Sequence, residues 1–252
     1  FTVPTSITLE CDQDINDVVI TGDVTDESDN CDTGLEATFT DSVADGACAN
    51  ESIITRTWTL TDTCGNTTTQ VQTITIEDTT APIIDAEARD ITIECDGSGN
   101  DGAIQAWLDD NGGATATDNC GDVTWTNDYS GVNSDCSTPI TVTFTATDAC
   151  GNTATTSATY AIEDTTAPTI TVEAMDLTVE CDGSGNLNDL NEFLNSFGSA
   201  EATDDCSAVT WTNDFSALTA ACGSTGSATV TFTATDSCGN EATTSATFAI
   251  VD

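Results

Sequence analysis

Apolar and polar residues alternate along many short stretches of the chain. In the middle of the sequence Val142, Phe144 and Ala146 are separated by threonines, and the alternation resumes at Ala158 after a short polar turn. A period of two is typical of β-strands with one buried face. Residues 140–163 are therefore predicted to form a long hairpin. About seven such strands in each repeat predict a β-sandwich of immunoglobulin type.

A six-residue motif divides the sequence into three repeats. It reads TDTCGN at 61–66, TDACGN at 147–152 and TDSCGN at 235–240, so that its cysteines lie 86 and 88 residues apart. A repeat of this length is the size of one small domain. We therefore predict an all-β chain of three tandem immunoglobulin-like domains, with the boundaries 1–78, 79–164 and 165–252.

Two segments interrupt the strand pattern. GAIQAWLDDNG (102–112) and LNDLNEFLNSFG (187–198) carry apolar residues at helical spacing and end at glycine. Domains 2 and 3 are therefore predicted to contain a short helical insertion between their first two strands. The first repeat has only 20 residues from Cys11 to Cys31, against 25 from Cys95 to Cys120, and is expected to lack the helix.

The charge of the chain excludes several kinds of chemistry. Two basic and 44 acidic residues give a formal net charge of −42, and the sequence contains neither lysine nor histidine. Catalysis through Ser-His-Asp, Cys-His or a lysine Schiff base lacks a required residue. Nucleic acid is not an expected partner, because only Arg56 and Arg89 could neutralise phosphates. Membrane insertion is not expected either, since no apolar run reaches about 18 residues.

Twelve cysteines fall four to each repeat. The sequence contains no CxxC pair of the kind that binds zinc. An even number of cysteines at regular spacing instead favours disulfides, and disulfides indicate an extracellular, cell-surface location. The cysteines are Cys11, Cys31, Cys48 and Cys64, then Cys95, Cys120, Cys136 and Cys150, then Cys181, Cys206, Cys222 and Cys238.

Several motifs together resemble a known domain family. ATDNC, a tryptophan-bearing strand, TVTFTATDACGNTAT and the closing EDTTAP are similar to the hyalin-repeat (HYR-like) branch of immunoglobulin-like domains. Versions with four cysteines and a CDGSGN segment resemble repeats of large bacterial cell-surface and gliding adhesins. The first repeat departs from this pattern by lacking CDGSGN and by placing Arg56 where the second has Val142. The resemblance implies a multi-domain, non-enzymatic surface protein.

The immunoglobulin-type sandwich suggests which cysteines pair. The second and fourth cysteines of a repeat are expected at the end where the chain enters the domain, and the first and third at the end where it leaves. The expected bridges are Cys11–Cys48, Cys31–Cys64, Cys95–Cys136, Cys120–Cys150, Cys181–Cys222 and Cys206–Cys238. The alternative joins the first cysteine with the fourth and the second with the third, because sequence alone does not fix connectivity.

Oxygen-bearing side chains gather at the same entry end, close to the linkers between domains. Hard oxygen ligands from three loops suit Ca²⁺, which is the predicted cofactor. The alternative is that these acids only cap turns through their own backbone. The predicted ligands are Glu77, Asp78, Asp118, Asn119, Asp148 and Asn152 at the first junction, and Glu163, Asp164, Asp204, Asp205, Asp236 and Asn240 at the second.

The CDGSGN segments at 95–100 and 181–186 are a weaker calcium candidate. They begin like a calcium loop but lack the downstream bidentate Glu of an EF-hand. The alternative is a glycine-rich turn that leads into the inserted helix.

These features favour a non-enzymatic extracellular stalk or adhesin segment of disulfide-stapled repeats, stiffened by calcium at the domain junctions. The alternative is the repeating subunit of an extracellular filament or surface appendage. The expected partners are accordingly other repeats of the same array or neighbouring copies in a filament, and no particular ligand is indicated. A glycan hydrolase with paired carboxylates would need a catalytic acid in one domain only, whereas the acids recur in each repeat.

Overall fold

A computed structural model describes residues 1–131, 139–220 and 225–252 of the chain. The strands are β1 (Ile7–Glu10), β2 (Thr38–Asp45), β3 (Ser52–Thr61), β4 (Thr67–Glu77), β5 (Ile83–Ala86), β6 (Ile91–Glu94), β7 (Thr115–Thr117), β8 (Thr124–Asn127), β9 (Ile140–Thr147), β10 (Thr153–Glu163), β11 (Thr169–Val172), β12 (Leu177–Glu180), β13 (Glu201–Thr203), β14 (Thr210–Asn213), β15 (Thr219–Ala220), β16 (Gly226–Thr235) and β17 (Glu241–Val251). The helices are α1 (Val18–Thr21), α2 (Asp101–Asp109) and α3 (Leu187–Asn195), and single 3-10 turns span Asn111–Gly113 and Phe197–Ser199.

Three sheets share one strand order, and each belongs to one of the three repeats. The orders are β1-β4-β3-β2, β6-β10-β9-β8 and β12-β17-β16-β14. In each sheet the first strand runs parallel to the last long strand of the repeat, as in the register of Ile7 with Ile74 and of Leu177 with Phe248. The fold is thus all-β, with tandem immunoglobulin-like sandwiches, as predicted.

The predicted hairpins are the longest elements. β9 and β10 occupy 140–147 and 153–163, so that the TDACGN motif forms the turn between them. β16 and β17 pair over a ten-residue antiparallel register from Gly226 with Ile250 to Thr235 with Glu241. Along β9 and β17, buried residues alternate with more exposed ones, which is the pattern that predicted them.

The described residues group into two compact units. The first comprises Phe1–Arg89, Asp110–Tyr129 and Val142–Ala158, and the second comprises Asp90–Asp109, Ser130–Thr141 and Thr159–Asp252, within the described ranges. Both units therefore draw on residues of the second repeat, and the division at 78 and 164 stays a prediction. One apolar cluster in the first unit consists of Leu9, Ile54, Ile74 and Ile76, and one in the second of Leu190, Phe193, Val230, Phe232, Ala246, Phe248 and Ile250.

Both predicted helical insertions are present. α2 buries Ile104, Trp107 and Leu108, and α3 buries Leu190 and Phe193. Because apolar residues three and four positions apart share one helix face, each short helix covers its repeat with that face.

The expectation that the first repeat lacks a helix was wrong. One helical turn, α1, occupies Val18–Thr21, and the carboxylate of Asp17 caps it by accepting from the Val19 N–H at 2.9 Å. A cap of this kind lets even four residues hold a helical turn.

The first repeat accommodates Arg56 through a polar core. The side chain is fully buried, and its guanidinium donates two hydrogen bonds of 2.9 Å to the Asp41 carboxylate on the neighbouring strand. It also donates to the Thr21 hydroxyl at 3.1 Å and to the Ile15 carbonyl at 2.8 Å, and it lies 3.8 Å from the ring centroid of Phe39. Arginine can replace valine here because its charge is paired and its donors are bonded.

Candidate functional site

Three acids of the first unit meet at the ends of three strands. Asp78 follows β4, Asp118 follows β7 and Asp148 follows β9, and one carboxylate oxygen from each lies within 4.8 Å of the others. Asp78 and Asp148 are only 4% and 6% exposed. We call these three residues the Asp78 cluster.

Asp148 explains why the turn motif contains both an acid and an amide. Its Oδ1 accepts from the backbone N–H groups of Cys150, Gly151 and Asn152 at 2.8, 2.7 and 2.9 Å. The Asn152 amide donates to Asp148 Oδ2 at 2.9 Å and also to the carbonyl oxygen of Asp78 at 3.0 Å. Burial raises the pKa of Asp148, but these hydrogen bonds outweigh it and lower the pKa overall. Asp148 therefore caps the turn as a carboxylate, as the alternative interpretation expected.

Turn capping accounts for only one carboxylate oxygen of each of the other two acids. Asp78 Oδ1 accepts one 3.3 Å hydrogen bond from the Thr80 N–H, and Asp118 Oδ1 accepts one of 2.8 Å from the Cys120 N–H. The Oδ2 atoms of Asp78 and Asp118 are buried and have no hydrogen-bond partner among the described residues. Burial raises the pKa of Asp78, and the neighbouring carboxylates of Asp118 and Asp148 raise it further. A buried, unpaired carboxylate oxygen is costly unless a proton or a cation satisfies it.

The second unit has a related but looser arrangement around Asp164, in which Asp204 and Asp236 each approach Asp164 without forming one group with each other. Asp204 and Asp236 each place a carboxylate oxygen within 4.8 Å of one on Asp164, which is 8% exposed. We call these three residues the Asp164 cluster. The Asn240 amide donates at 2.8 Å both to Asp236 Oδ2 and to the Asp164 carbonyl, as Asn152 does in the first unit.

Asp164 also repeats the electrostatics of Asp78. Its Oδ1 accepts from the Thr166 N–H at 3.0 Å, whereas its buried Oδ2 has no partner among the described residues. Burial raises the pKa of Asp164, with further contributions from Asp204 and Asp236. A cavity of about 80 Å³ lies beside Asp164 and Asp204, which is room for an ion and a few waters.

Six of the predicted ligands lie outside the two carboxylate clusters, and of these only Asn152 and Asn240 are described above as hydrogen-bonded to cluster residues. Glu77 and Glu163 end their strands in register with Glu10 and Glu94 of the parallel neighbours. The exposed Asn119 directs its amide toward the Cys11 sulfur at 3.9 Å, and Asp205 is exposed. Their part in metal binding stays a prediction.

Two acids that sequence reasoning missed stand next to the clusters. Glu10 accepts from the Thr79 N–H at 3.2 Å and from its hydroxyl, and Glu94 accepts from the Thr165 N–H at 2.8 Å. These hydrogen bonds lower the pKa of both glutamates, so that each adds a negative charge close to the linker aspartate. The signal was available in the sequence, since a glutamate directly precedes the first cysteine of every repeat.

The disulfides contradict the predicted pairing. The bridges are Cys11–Cys120, Cys48–Cys150 and Cys95–Cys206, with Cα–Cα distances of 5.8, 5.1 and 6.1 Å that suit a disulfide. Cys31, Cys64 and Cys181 are free thiols, and Cys238 is disulfide-bonded. The predicted bridges Cys11–Cys48, Cys31–Cys64, Cys95–Cys136, Cys120–Cys150, Cys181–Cys222 and Cys206–Cys238 are therefore wrong, and so is the alternative of first with fourth. Cys136 and Cys222 themselves lie outside the described residues.

The error has a simple physical cause. The expected assignment of cysteines to the two ends of a domain put the first and third at the exit and the second and fourth at the entry. Where one repeat follows another, the exit loops of the first meet the entry loops of the next. Cys11 follows β1 and reaches Cys120, which follows β7, while Cys48 reaches Cys150 in the hairpin turn. The first cysteine of a repeat thus pairs with the second of the next, and the third with the fourth of the next.

The CDGSGN segment forms a turn before the helix. Asp96 Oδ1 accepts from the backbone N–H groups of Ser98 and Asn100 at 2.8 and 3.1 Å, and these bonds lower the pKa of Asp96. The amide of the buried Asn100 donates to the Glu94 carbonyl at 2.7 Å. Asp96 Oδ1 and the Asn100 side chain are thus engaged in holding the turn, which favours the structural interpretation over a second calcium loop.

Comparisons with known proteins give one match to a family model, over part of the chain. Residues 1–76 match the model of the HYR-like domain with 4 cysteines. No curated protein matches the chain. Similar solved structures include Drosophila N-cadherin EC1-4, at 11% identity and a TM-score of 0.34 over 100% of this chain and 74% of that chain, and protocadherin gamma B7 domains 1-4, at 11% identity and a TM-score of 0.30 over 86% and 67%. At such low TM-scores these likenesses say nothing about what the chain binds. Among the described residues, no helix is long and apolar enough to cross a membrane.

Proposed function

We propose that the chain is a non-enzymatic, extracellular stalk segment of an adhesion-type surface protein, in which Ca²⁺ binds the Asp78 and Asp164 clusters. One observation carries the calcium part of this proposal. In each cluster a linker aspartate is buried with one oxygen unpaired while two further carboxylates approach it within 4.8 Å. A divalent cation would offset both the desolvation and the mutual repulsion of these groups.

The donor atoms favour a hard cation. The cysteines beside the clusters, such as Cys120 and Cys206, are held in disulfides and offer no thiolate. Carboxylate oxygens remain as the charged donors, and such oxygens suit Ca²⁺ or Mg²⁺ better than zinc or copper. Ca²⁺ is the better fit for an irregular loop site, since it tolerates six to eight ligands in flexible geometry whereas Mg²⁺ requires a near-ideal octahedron.

A mechanical role follows from where the crosslinks lie. Each described disulfide ties one repeat to the next, and the proposed ions lie beside Cys120 and Cys206 in the same loops. Calcium would hold the linker aspartate against loops of the following repeat, so that the linker could not pivot freely. A stalk that carries load from a binding region to the cell surface needs this stiffness.

Calcium titration of the intact, oxidised chain tests the proposal. Isothermal titration should find two sites, and saturation to about 100 times Kd should stabilise the fold by about 2.7 kcal/mol per site. Sodium chloride at equal ionic strength is the control, because it screens the acids without bridging them.

A matched pair of variants separates ligation from simple repulsion. Asp118→Asn removes a cluster carboxylate, whereas Asp122→Asn removes an exposed one two residues beyond Cys120. Without calcium, Asp118→Asn should have a higher melting temperature than the parent, because the substitution relieves repulsion among the carboxylates. In saturating calcium it should have a lower melting temperature than the parent, because one calcium site is lost. Asp122→Asn should change neither value. The calcium proposal is refuted if both salts act alike, or if Asp118→Asn leaves the calcium response intact.

A further inference from the structure

One acid of the Asp78 cluster also lies against a disulfide. A carboxylate oxygen of Asp78 is within 4.8 Å of the sulfur atoms of both Cys11 and Cys120, which are bridged to each other. Asp78 also places a carboxylate oxygen within 4.8 Å of those of Asp118 and Asp148. The acidic cluster and the crosslink therefore share one residue and lie in the same place.

The same two backbone segments carry the cluster and the bridge. Cys11 follows β1 and Asp78 follows β4, and these two strands pair in parallel within the first repeat. Cys120 and Asp118 lie in one turn of the second repeat, where the Cys120 N–H donates to Asp118 Oδ1 at 2.8 Å. Each segment thus supplies one acid and one cysteine, so that whatever draws the two acids together also draws the two sulfur atoms together.

The second unit joins the same parts. A carboxylate oxygen of Asp164 is within 4.8 Å of one on Asp204 and of the Cys206 sulfur. The Cys206 N–H donates to Asp204 Oδ1 at 2.9 Å, and Cys206 is bridged to Cys95. The link between an acidic pair and a disulfide is therefore present in both units.

The loops that carry the second of these bridges are in close backbone contact. A Cβ on Gly97 would lie 2.6 Å from the carbonyl oxygen of Asp205, so that the loop after Cys95 and the loop before Cys206 touch beside the sulfur atoms. The two loops must be seated against each other before their thiols can meet.

The charge of the loops opposes this seating. The three carboxylates of the Asp78 cluster lie within 4.8 Å of one another, and like charges at such distances repel. Asp78 is only 4% exposed, so closing the junction also removes water from its carboxylate. Repulsion and desolvation therefore hold the loops apart, and the cysteines with them, unless a cation offsets both.

We propose that the two clusters, when loaded with Ca²⁺, act as templates for the disulfides Cys11–Cys120, called the unit-1 bridge, and Cys95–Cys206, called the unit-2 bridge. The proposal rests on the proposed function, because it needs calcium at the clusters. Loops held together through their carboxylates set the paired thiols side by side. Each bridge then forms by loss of two protons and two electrons from its two thiols. Oxidised glutathione accepts them as its own S–S bond breaks, and it becomes two glutathione thiols.

Bridge formation and calcium binding are then coupled in both directions. If calcium raises the equilibrium constant for forming a bridge, the bridge raises the affinity for calcium by the same factor, usually about 5- to 150-fold for coupled sites. Redox titration of the full chain in glutathione buffers measures the first factor, with alkylation and peptide mapping to identify each bridge. In calcium chloride each bridge should be half-formed in a buffer more reducing by that factor than in sodium chloride of equal ionic strength.

Isothermal titration measures the second factor. Cys11→Ala together with Cys120→Ala removes the unit-1 bridge and should raise the calcium dissociation constant of the Asp78 cluster by about the same 5- to 150-fold, while the Asp164 cluster keeps its affinity. The redox titration uses the unmodified chain, so it decides the question even if this variant does not fold.

Two variants make each junction the control for the other. Asp118→Asn removes one carboxylate of the Asp78 cluster and keeps an oxygen for the turn, so the unit-1 bridge should lose its calcium response while the unit-2 bridge keeps it in the same sample. Asp204→Asn should show the reverse. Without calcium, each variant should form its own bridge more readily than the parent, because repulsion is relieved. A variant in which both bridges still respond equally would overturn the template.

The outcomes also separate this inference from the proposed function. If calorimetry finds no calcium bound to the oxidised chain, the proposed function fails and the template fails with it. If the oxidised chain binds calcium at both clusters but the bridges form at the same glutathione ratio in calcium and in sodium, the template alone is refuted.

Discussion

Removal of one bridge between repeats should destabilise the first unit far more than removal of two free thiols. The perturbation is Cys11→Ala together with Cys120→Ala, which deletes the bridge without leaving an unpaired thiol. The matched control is Cys31→Ala together with Cys64→Ala, which deletes two exposed free cysteines of the same unit. Both variants change two residues, so that the contrast depends on the bridge alone.

The magnitude follows from the loop that the bridge closes. Cys11 and Cys120 are 109 residues apart, but the second bridge, Cys48–Cys150, already shortens the path between them. The smallest loop that Cys11–Cys120 still closes contains about 67 residues, for which the chain-entropy model gives about 4 kcal/mol. The control should lie within about 0.5 kcal/mol of the parent, as surface substitutions do.

Urea unfolding monitored by circular dichroism measures both variants, and hydrogen exchange with mass spectrometry assigns the loss to the first unit. Exchange should accelerate in β3 and β4 of the bridge variant and stay unchanged in β16 and β17 of the other unit. Pairing within repeats predicts instead that the control variant, Cys31→Ala with Cys64→Ala, loses much of its free energy of unfolding. If Cys31 and Cys64 closed their own loop, removal of both would itself cost about 4 kcal/mol. A control as unstable as the bridge variant would therefore refute the pairing between repeats.

Five further substitutions, two of them controls, probe three local features by thermal unfolding. Asp41→Ala leaves a fully buried arginine without its carboxylate and should cost about 3 kcal/mol, whereas Asp45→Ala on the exposed end of the same strand should cost little. Gly97→Ala should destabilise more than Gly183→Ala, because both strain a positive φ but only the first drives a methyl group into a carbonyl oxygen. Hydrogen bonds lower the pKa of Asp90, so its stabilisation is present above about pH 4 and lost as the pH falls through the lowered value. Asp90→Asn should accordingly lower the melting temperature at pH 7, and the difference from the parent should shrink as the pH falls below about 4.

Periodicity in the sequence was enough to predict the hairpins and both larger helices. These elements depend on local patterns, such as the alternation along β9 and the apolar face of α2. Each such pattern lies within one continuous segment of the sequence, so it can be recognised without the tertiary structure. The acids of the two clusters were also recognised, because they directly follow strands that the same patterns define. The sequence patterns therefore identify the acids of the candidate sites, although not their distances from one another.

The disulfide pairing and the partners of individual side chains could not be predicted, because they depend on which segments face each other in space. The cysteines were assigned to ends of a domain, but the decision between partners in one repeat and partners in the next needs the geometry of the junction. The contrast between Gly97 and Gly183 shows the same limit, since two identical hexapeptides differ only in what packs against them. Arg56 was noticed as a departure, yet its partner Asp41 lies on the adjacent strand and no local motif marks it.

The pairing between repeats has a measurable consequence for a chain under tension. Because covalent bridges survive unfolding, the longest extension of a pulled chain is set by the shortest covalent path from end to end. With the described bridges this path runs from Phe1 to Cys11, back from Cys120 to Cys95, and on from Cys206 to Asp252. It contains about 81 residues, and at ~3.5 Å per residue it limits the extension to about 280 Å.

Single-molecule pulling on the oxidised chain should therefore stop at or below about 280 Å, and at about 880 Å after full reduction of its 252 residues. Pairing within repeats would instead leave a path of about 132 residues and a limit near 460 Å. The three limits are far enough apart to be read from force–extension curves, and an oxidised chain that reaches 460 Å would contradict the bridges described here. A limit at the lower value would mean that most residues of an overloaded stalk stay within crosslinked loops, from which the sandwiches can refold once the load is released.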